Sequence, residues 1–196
     1  SGSHRKTAES FKVACYVQEL LQKEGVIHCD ILNLATIDLP FWDEDRTPET
    51  GDTRWQSVWP EVSQKLSQSD GFVVVSPEWH GMVPSKLKNL FLLASGGELS
   101  HKPALLVSVS AGIGGAYPIA ELRMSSYKNS RICYLPEQII IRFVKNFNEG
   151  KQSPEISDLK ERLLTGAKML TIYAENFKKI RSKIVEGNLN KFVNGM

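Results

Sequence analysis

The chain has 196 residues, with 24 Lys plus Arg against 22 Asp plus Glu and a formal net charge of +2. That length suits one domain, and the near balance of charge excludes the basic excess of a dedicated nucleic-acid binder. A hydrophobic content of 41% excludes a chain too polar to build a core, and no apolar run approaches the ~20 residues of a membrane span. The three cysteines, Cys15, Cys29 and Cys133, are far apart and odd in number, which argues against a disulfide framework. These features describe a cytoplasmic α/β domain over residues 1–186, followed by a polar tail at 187–196, with no nucleic-acid or membrane partner.

In chain order, Phe11, Ala14, Cys15, Val17, Leu20 and Leu21 follow helical spacing between residues 8 and 23, and Gly25 stops the run. Residues 26–34 read as a strand, and a long polar loop follows to about residue 52. Residues 54–69 carry Trp55, Val58, Trp59, Val62 and Leu66 on one helical face, with Pro60 as a candidate kink. Residues 71–75 are apolar on both faces, as in a parallel strand covered by helices. Pro84 suits the first turn of a helix whose stripe is Leu87, Leu90, Phe91 and Ala94. Residues 104–109 form another buried strand, 116–127 a helix, and 132–135 a last strand that 139–144 either extends or flanks. Ser157 is the expected cap of a long final helix carrying Leu159, Leu163, Ala167, Leu170, Ala174 and Phe177. Alternating strands and helices predict a parallel sheet with ligands bound at the carboxyl ends of its strands.

Three loops lie at such positions. The first, residues 1–10, offers hydroxyls, a glycine and two cations before a helix. That composition suits an anion bound at the helix N-terminus, and equally an ordinary capping loop. It lacks the GxxxxGK[ST] pattern of a nucleoside-triphosphate loop. The second, residues 76–84, places Trp79 and His80 after a buried strand, where Trp79 either flanks a flat ligand or covers the sheet end. The third, residues 110–115, has glycine at 112, 114 and 115, which permits close backbone approach to a ligand. No HxxH, CxxC or HExxH spacing indicates a metal site. One loop suited to a phosphate and two suited to a planar heterocycle, all at one end of one sheet, match a flavodoxin-like fold holding flavin mononucleotide.

At this point the sequence resembles the NAD(P)H-dependent FMN reductase family, which includes quinone-, chromate- and azo-reducing members. The resemblance rests on Gly2-Ser3-His4-Arg5 followed by Ser10, and on Pro77-Glu78-Trp79-His80-Gly81 followed by Pro84-Ser85-Lys86-Leu87-Lys88-Asn89. It also rests on Ser110, Gly112, Gly114 and Gly115. It implies that Ser3, Arg5 and Ser10 hold the FMN phosphate. It further implies that Pro77, Glu78, Trp79, His80 and Gly81 line the ring, and that Ser110, Gly112, Gly114 and Gly115 reach its pyrimidine side. Trp79 and His80 depart from the family's usual Tyr and Asn.

The implied activity is a ping-pong transfer of hydride from NADPH or NADH to FMN and on to a small-molecule acceptor. The acceptor classes are free flavin, quinone, azo compound and metal oxyanion. The alternative is an FMN-binding electron carrier, redox sensor or scaffold without turnover. No side-chain nucleophile is expected, since the flavin carries the chemistry, and the N–H groups of residues 112–115 are expected to face charge near flavin N1. The family also implies a homodimer or homotetramer, with Phe41 and Trp42 near the subunit contact. The implied fold is a five-stranded parallel sheet of order 2-1-3-4-5. Its first, central strand is expected as about five to seven apolar residues ahead of Ser1.

Overall fold

The computed structural model describes residues 1–47, 49 and 51–192. Residues 48 and 50 of the long polar loop and 193–196 of the expected tail lie outside the described residues.

Three parallel strands form the sheet, β1 (Phe72–Pro77), β2 (Pro103–Val109) and β3 (Cys133–Ile141), in the order β1-β2-β3. β1 pairs with β2 from Phe72↔Ala104 to Pro77↔Val109. The β2–β3 ladder jumps from Ala104↔Tyr134 to Leu106↔Gln138. Pro136 lies in that jump and has no N–H to offer the ladder, which is where a strand bulges. Arg123 fills the gap, donating from Nε to Gln138 Oε1 at 2.8 Å and from Nη2 to the Leu135 carbonyl at 2.5 Å.

Side-chain alternation along β2 divides the core into two. Leu105, Val107 and Val109 face a cluster with α1 (Glu9–Lys23), α6 (Val144–Asn148) and α7 (Pro154–Glu186). Ala104 and Leu106 face a second cluster with α2 (Arg54–Ser57), α3 (Trp59–Gln68), α4 (Ser85–Leu93) and α5 (Ala116–Ser125). The whole of β2 is buried, Ser108 included, as in a strand covered by helices on both faces.

Several sequence expectations change. The sheet has three strands rather than five: one of the five is expected ahead of Ser1, outside this sequence, and residues 26–34 form no ladder along their length. Their connections across the sheet are to Ser1, whose N donates to the Leu32 carbonyl at 2.8 Å and whose carbonyl accepts from Leu34 N at 3.1 Å. Gly2 N donates in turn to the Val75 carbonyl at 2.8 Å, so these two residues join the extended segment to β1 at one end. Below them, a cleft of about 850 Å³ separates residues 26–32 from the outer edge of β1, with Val26, Leu32, Val73, Val75 and Leu90 on its walls.

The expected helix over 54–69 breaks at Val58. Pro60 sits in the first turn of α3, where its missing N–H costs nothing, so it starts a helix rather than kinking one. The 132–135 and 139–144 segments merge into β3 and α6. α7 begins earlier than expected, because Ser153 rather than Ser157 is its cap: Ser153 Oγ accepts from Ile156 N, and Pro154 opens the helix.

Candidate functional site

The three loops converge, loop 1 from the start of α1 and loops 2 and 3 from the ends of β1 and β2. Loop 1 runs from Ser1 into α1. Its N-cap is Ala8, which provides no side-chain cap; Phe11 N donates to the Ala8 carbonyl at 3.1 Å, and the N–H groups of Glu9 and Ser10 meet no acceptor among the described residues. Ser3 and Ser10 are buried at 1% and 2% exposure, which is low for hydroxyl side chains at a helix start. Ser3 Oγ accepts from Arg5 N at 3.1 Å, bending the loop around itself. The Arg5 and Lys6 side chains are exposed, and Arg5 has no ion-pair partner among the described residues. At the other side of this helix start, Asn148 Nδ2 donates to Glu9 Oε2 at 2.6 Å and to the Glu9 carbonyl at 3.1 Å. That hydrogen bond, with Lys12 at 3.0 Å, holds the Glu9 carboxyl below the usual carboxylate range.

Loop 2 leaves β1 at Pro77 and makes a tight hairpin at Trp79 and Met82. Trp79 N donates to the Met82 carbonyl at 3.1 Å, and Met82 N returns the bond at 2.9 Å. The two central residues, His80 and Gly81, both have positive φ, 50° and 74°. This is the primed turn that Asn-Gly usually makes, and histidine is among the few non-glycine residues found there. The departure at His80 therefore leaves the turn intact and sends its side chain to solvent. Trp79 is half-buried and meets His4 edge-on, with ring centroids 4.5 Å apart, so loops 1 and 2 touch through an aromatic pair.

Loop 3 is tied to loop 2 by Glu78. Glu78 N extends the β1–β2 ladder by donating to the Val109 carbonyl at 3.0 Å. Its carboxylate Oε2 accepts from Gly115 N at 2.6 Å, at the N-cap of α5. The glycines of loop 3 then separate by role. A methyl on Gly114 would overlap Glu78 Oε1. Gly115 has φ of +109°, and a Cβ there would stand 2.5 Å from Ile140 Cγ2. Only Gly112 of the three would point a Cβ into open space. The N–H of Gly112 donates to Ser110 Oγ at 3.3 Å, so the 112 and 115 amides both have protein partners.

Sequence reasoning missed three supports. Glu121 on α5 accepts from Val83 N at 2.7 Å and Lys88 Nζ at 3.0 Å, fixing the far end of loop 2. Buried Asn89 receives Trp42 N at 2.9 Å and donates to the Pro40 carbonyl at 2.8 Å, holding the polar loop against α4. His4 is the third, through Trp79. Asn89 and His4 stand in the quoted motifs with no role assigned; no local pattern names their partners or that of Glu121, each at least 33 residues away.

The geometry fits a phosphorylated flavin: exposed donors and buried hydroxyls at one end, a half-buried tryptophan in the middle, and open space at Gly112 beyond. Solved structures of the same architecture define the class. FerB from Paracoccus denitrificans, a flavoenzyme NAD(P)H:(acceptor) oxidoreductase, superposes with a TM-score of 0.66 at 19% identity, covering 90% of this chain and 94% of that one. An oxidoreductase from Corynebacterium diphtheriae gives 0.63 at 18% identity, over 89% and 90%. The fold is thus the flavodoxin-like α/β one.

The NADPH-dependent FMN reductase model matches residues 1–146, and the chain belongs to that family. Among relatives, an NADPH azoreductase from Bacillus sp. (strain OY1-2) is 23% identical over 94% of this chain and 95% of its own length. A quinone reductase from Escherichia coli (strain K12) is 28% identical over 74% and 76%. FMN and NAD(P)H are accordingly the cofactor and cosubstrate of this chain, and it is an oxidoreductase. Among the described residues no helix is long and apolar enough to cross a membrane, and no group of His, Cys, Asp and Glu is placed to hold a metal.

Proposed function

We propose that this chain takes hydride from NADPH or NADH onto bound FMN and passes the electrons to a small acceptor in ping-pong order. Quinones and azo compounds are the first acceptor classes to test, in line with the names of its relatives; free flavin and metal oxyanions come next. One observation carries the reading: the three loops are drawn together by His4–Trp79 and Glu78–Gly115, with exposed Arg5 on loop 1.

In this reading Ser3, Arg5, Ser10 and the first turn of α1 hold the phosphate. Arg5 gives forked donors and the helix end gives aligned N–H groups. Pro77, Glu78, Trp79, His80 and Gly81 line the ring from one side, and Ser110, Gly112, Gly114 and Gly115 from the other. The flavin would supply the hydride chemistry when bound; the part of the chain is to hold and orient it.

We read residues 1–186 as one cytoplasmic domain working as a homodimer or homotetramer, with Phe41 and Trp42 at the contact. Phe41 at 73% exposure, with exposed Met82 and Tyr117 beside the site, supports such a contact.

The purified protein incubated with FMN and desalted is expected to stay yellow. Under anaerobic conditions NADPH is expected to bleach it within seconds, and a quinone to restore the colour. A protein that cannot retain FMN overturns the flavin site. One that retains it but is not bleached by NADPH or NADH overturns the reductase reading.

A further inference from the structure

Glycine-rich turns before helices are usually read as places where backbone N–H groups and the helix dipole meet a ligand's negative charge. Here that end of α5 already faces a negative charge. The Glu78 carboxylate accepts the Gly115 N–H at 2.6 Å, and Gly114 lies against its other oxygen with no room for a side chain. Glu78 belongs to loop 2 and Gly115 to loop 3, so the carboxylate stands at the seam between the two segments assigned to the ring. It is half-buried, where solvent screens a charge less than at the surface. Arg142, which follows β3, donates from Nε to the Ile113 carbonyl of the same turn at 2.6 Å and is exposed, so its charge is better screened.

We infer that Glu78 is a positioning residue that makes the ring end of the site electronegative, opposing the negative charge that the flavin gains on reduction and so lowering its midpoint potential. This rests on the FMN reading above. A flavin held at low potential passes electrons on readily, which suits a protein that must discharge to varied acceptors. A Cβ at 114 would meet this carboxylate, so a larger residue there has to displace Glu78.

The test reconstitutes wild type, Glu78→Gln and Glu78→Asp with FMN and measures affinity and midpoint potential against a reference dye. Glu78→Gln keeps an acceptor for Gly115 N and loses the charge. Its equilibrium with the dye is expected to move about tenfold toward reduced flavin, the scale of one charge felt across a partly screened site. Glu78→Asp keeps the charge and is expected to stay near the wild-type potential. Equal potentials in wild type and Glu78→Gln overturn the inference, as do equal shifts in both variants, which would mark a geometric effect. Loss of FMN from Glu78→Gln alone makes Glu78 a structural support and also overturns it. A wild type that takes up no FMN instead sinks the flavin reading itself.

Discussion

Loops 1 and 3 have similar compositions, small residues and glycine before a helix, yet the fold uses them oppositely. In loop 1 the helix start has no side-chain cap and Arg5 has no ion-pair partner among the described residues. In loop 3 the N-cap amide is engaged by Glu78, and two of three glycines are dictated by protein atoms, Glu78 at 114 and Ile140 at 115. A glycine therefore marks a close approach without saying what approaches. In loop 1 the open donors favour a ligand; in most of loop 3 the neighbour is the protein itself.

Four experiments press on that contrast. The largest effect is expected from Gly115→Ala, which meets both a left-handed backbone and Ile140 Cγ2 at 2.5 Å. A loss of about 3 kcal/mol is expected in urea unfolding. A stability near wild type would show that loop 3 is not held as rigidly as its contacts require. Arg5→Ala is expected to weaken FMN binding by about tenfold or more while leaving riboflavin binding unchanged. Equal losses for both ligands would remove the phosphate from loop 1.

Asn148→Ala releases the anchor of the α1 start and is expected to cost about 1 kcal/mol at neutral pH. Glu9 has a depressed folded pKa, so its contribution is present above the ordinary carboxylate value of 4.5 and lost as pH falls through the depressed one. The difference between wild type and Asn148→Ala should therefore shrink in acid. A gap in melting temperature that is constant from pH 7 to pH 3 would detach it from Glu9. The smallest stability effect belongs to Gly112→Ala, whose Cβ enters open space. It is expected to change stability by less than about 0.5 kcal/mol while weakening FMN binding. Unchanged binding would remove Gly112 from the residues that face the ligand.

Much of the fold was legible because its signals are local. The apolar run of β2, the stripes of α1 and α7, and the glycine turns report their surroundings through periodicity alone. The order of the three loops was legible too: loops 2 and 3 each follow a strand of the parallel sheet, and loop 1 leads into α1. The failures share a cause. Residues 26–34 look like a strand, but a strand is defined by a neighbour, and its hydrogen bonds across the sheet are confined to Ser1 at one end. Ser157 and Ser153 are both acceptable caps; Pro154 settles the choice by fitting the first turn.

By itself, the sequence determined the class of the protein: an α/β chain of balanced charge whose three loop motifs, in order, belong to the FMN reductase family. Tertiary structure alone decided which polar groups are engaged. The pairing of Glu78 with Gly115, of Glu121 with Val83 and of His4 with Trp79 joins residues 37, 38 and 75 positions apart. No periodicity encodes such contacts, because they exist only once packing of the helices on the sheet has brought the strand ends together.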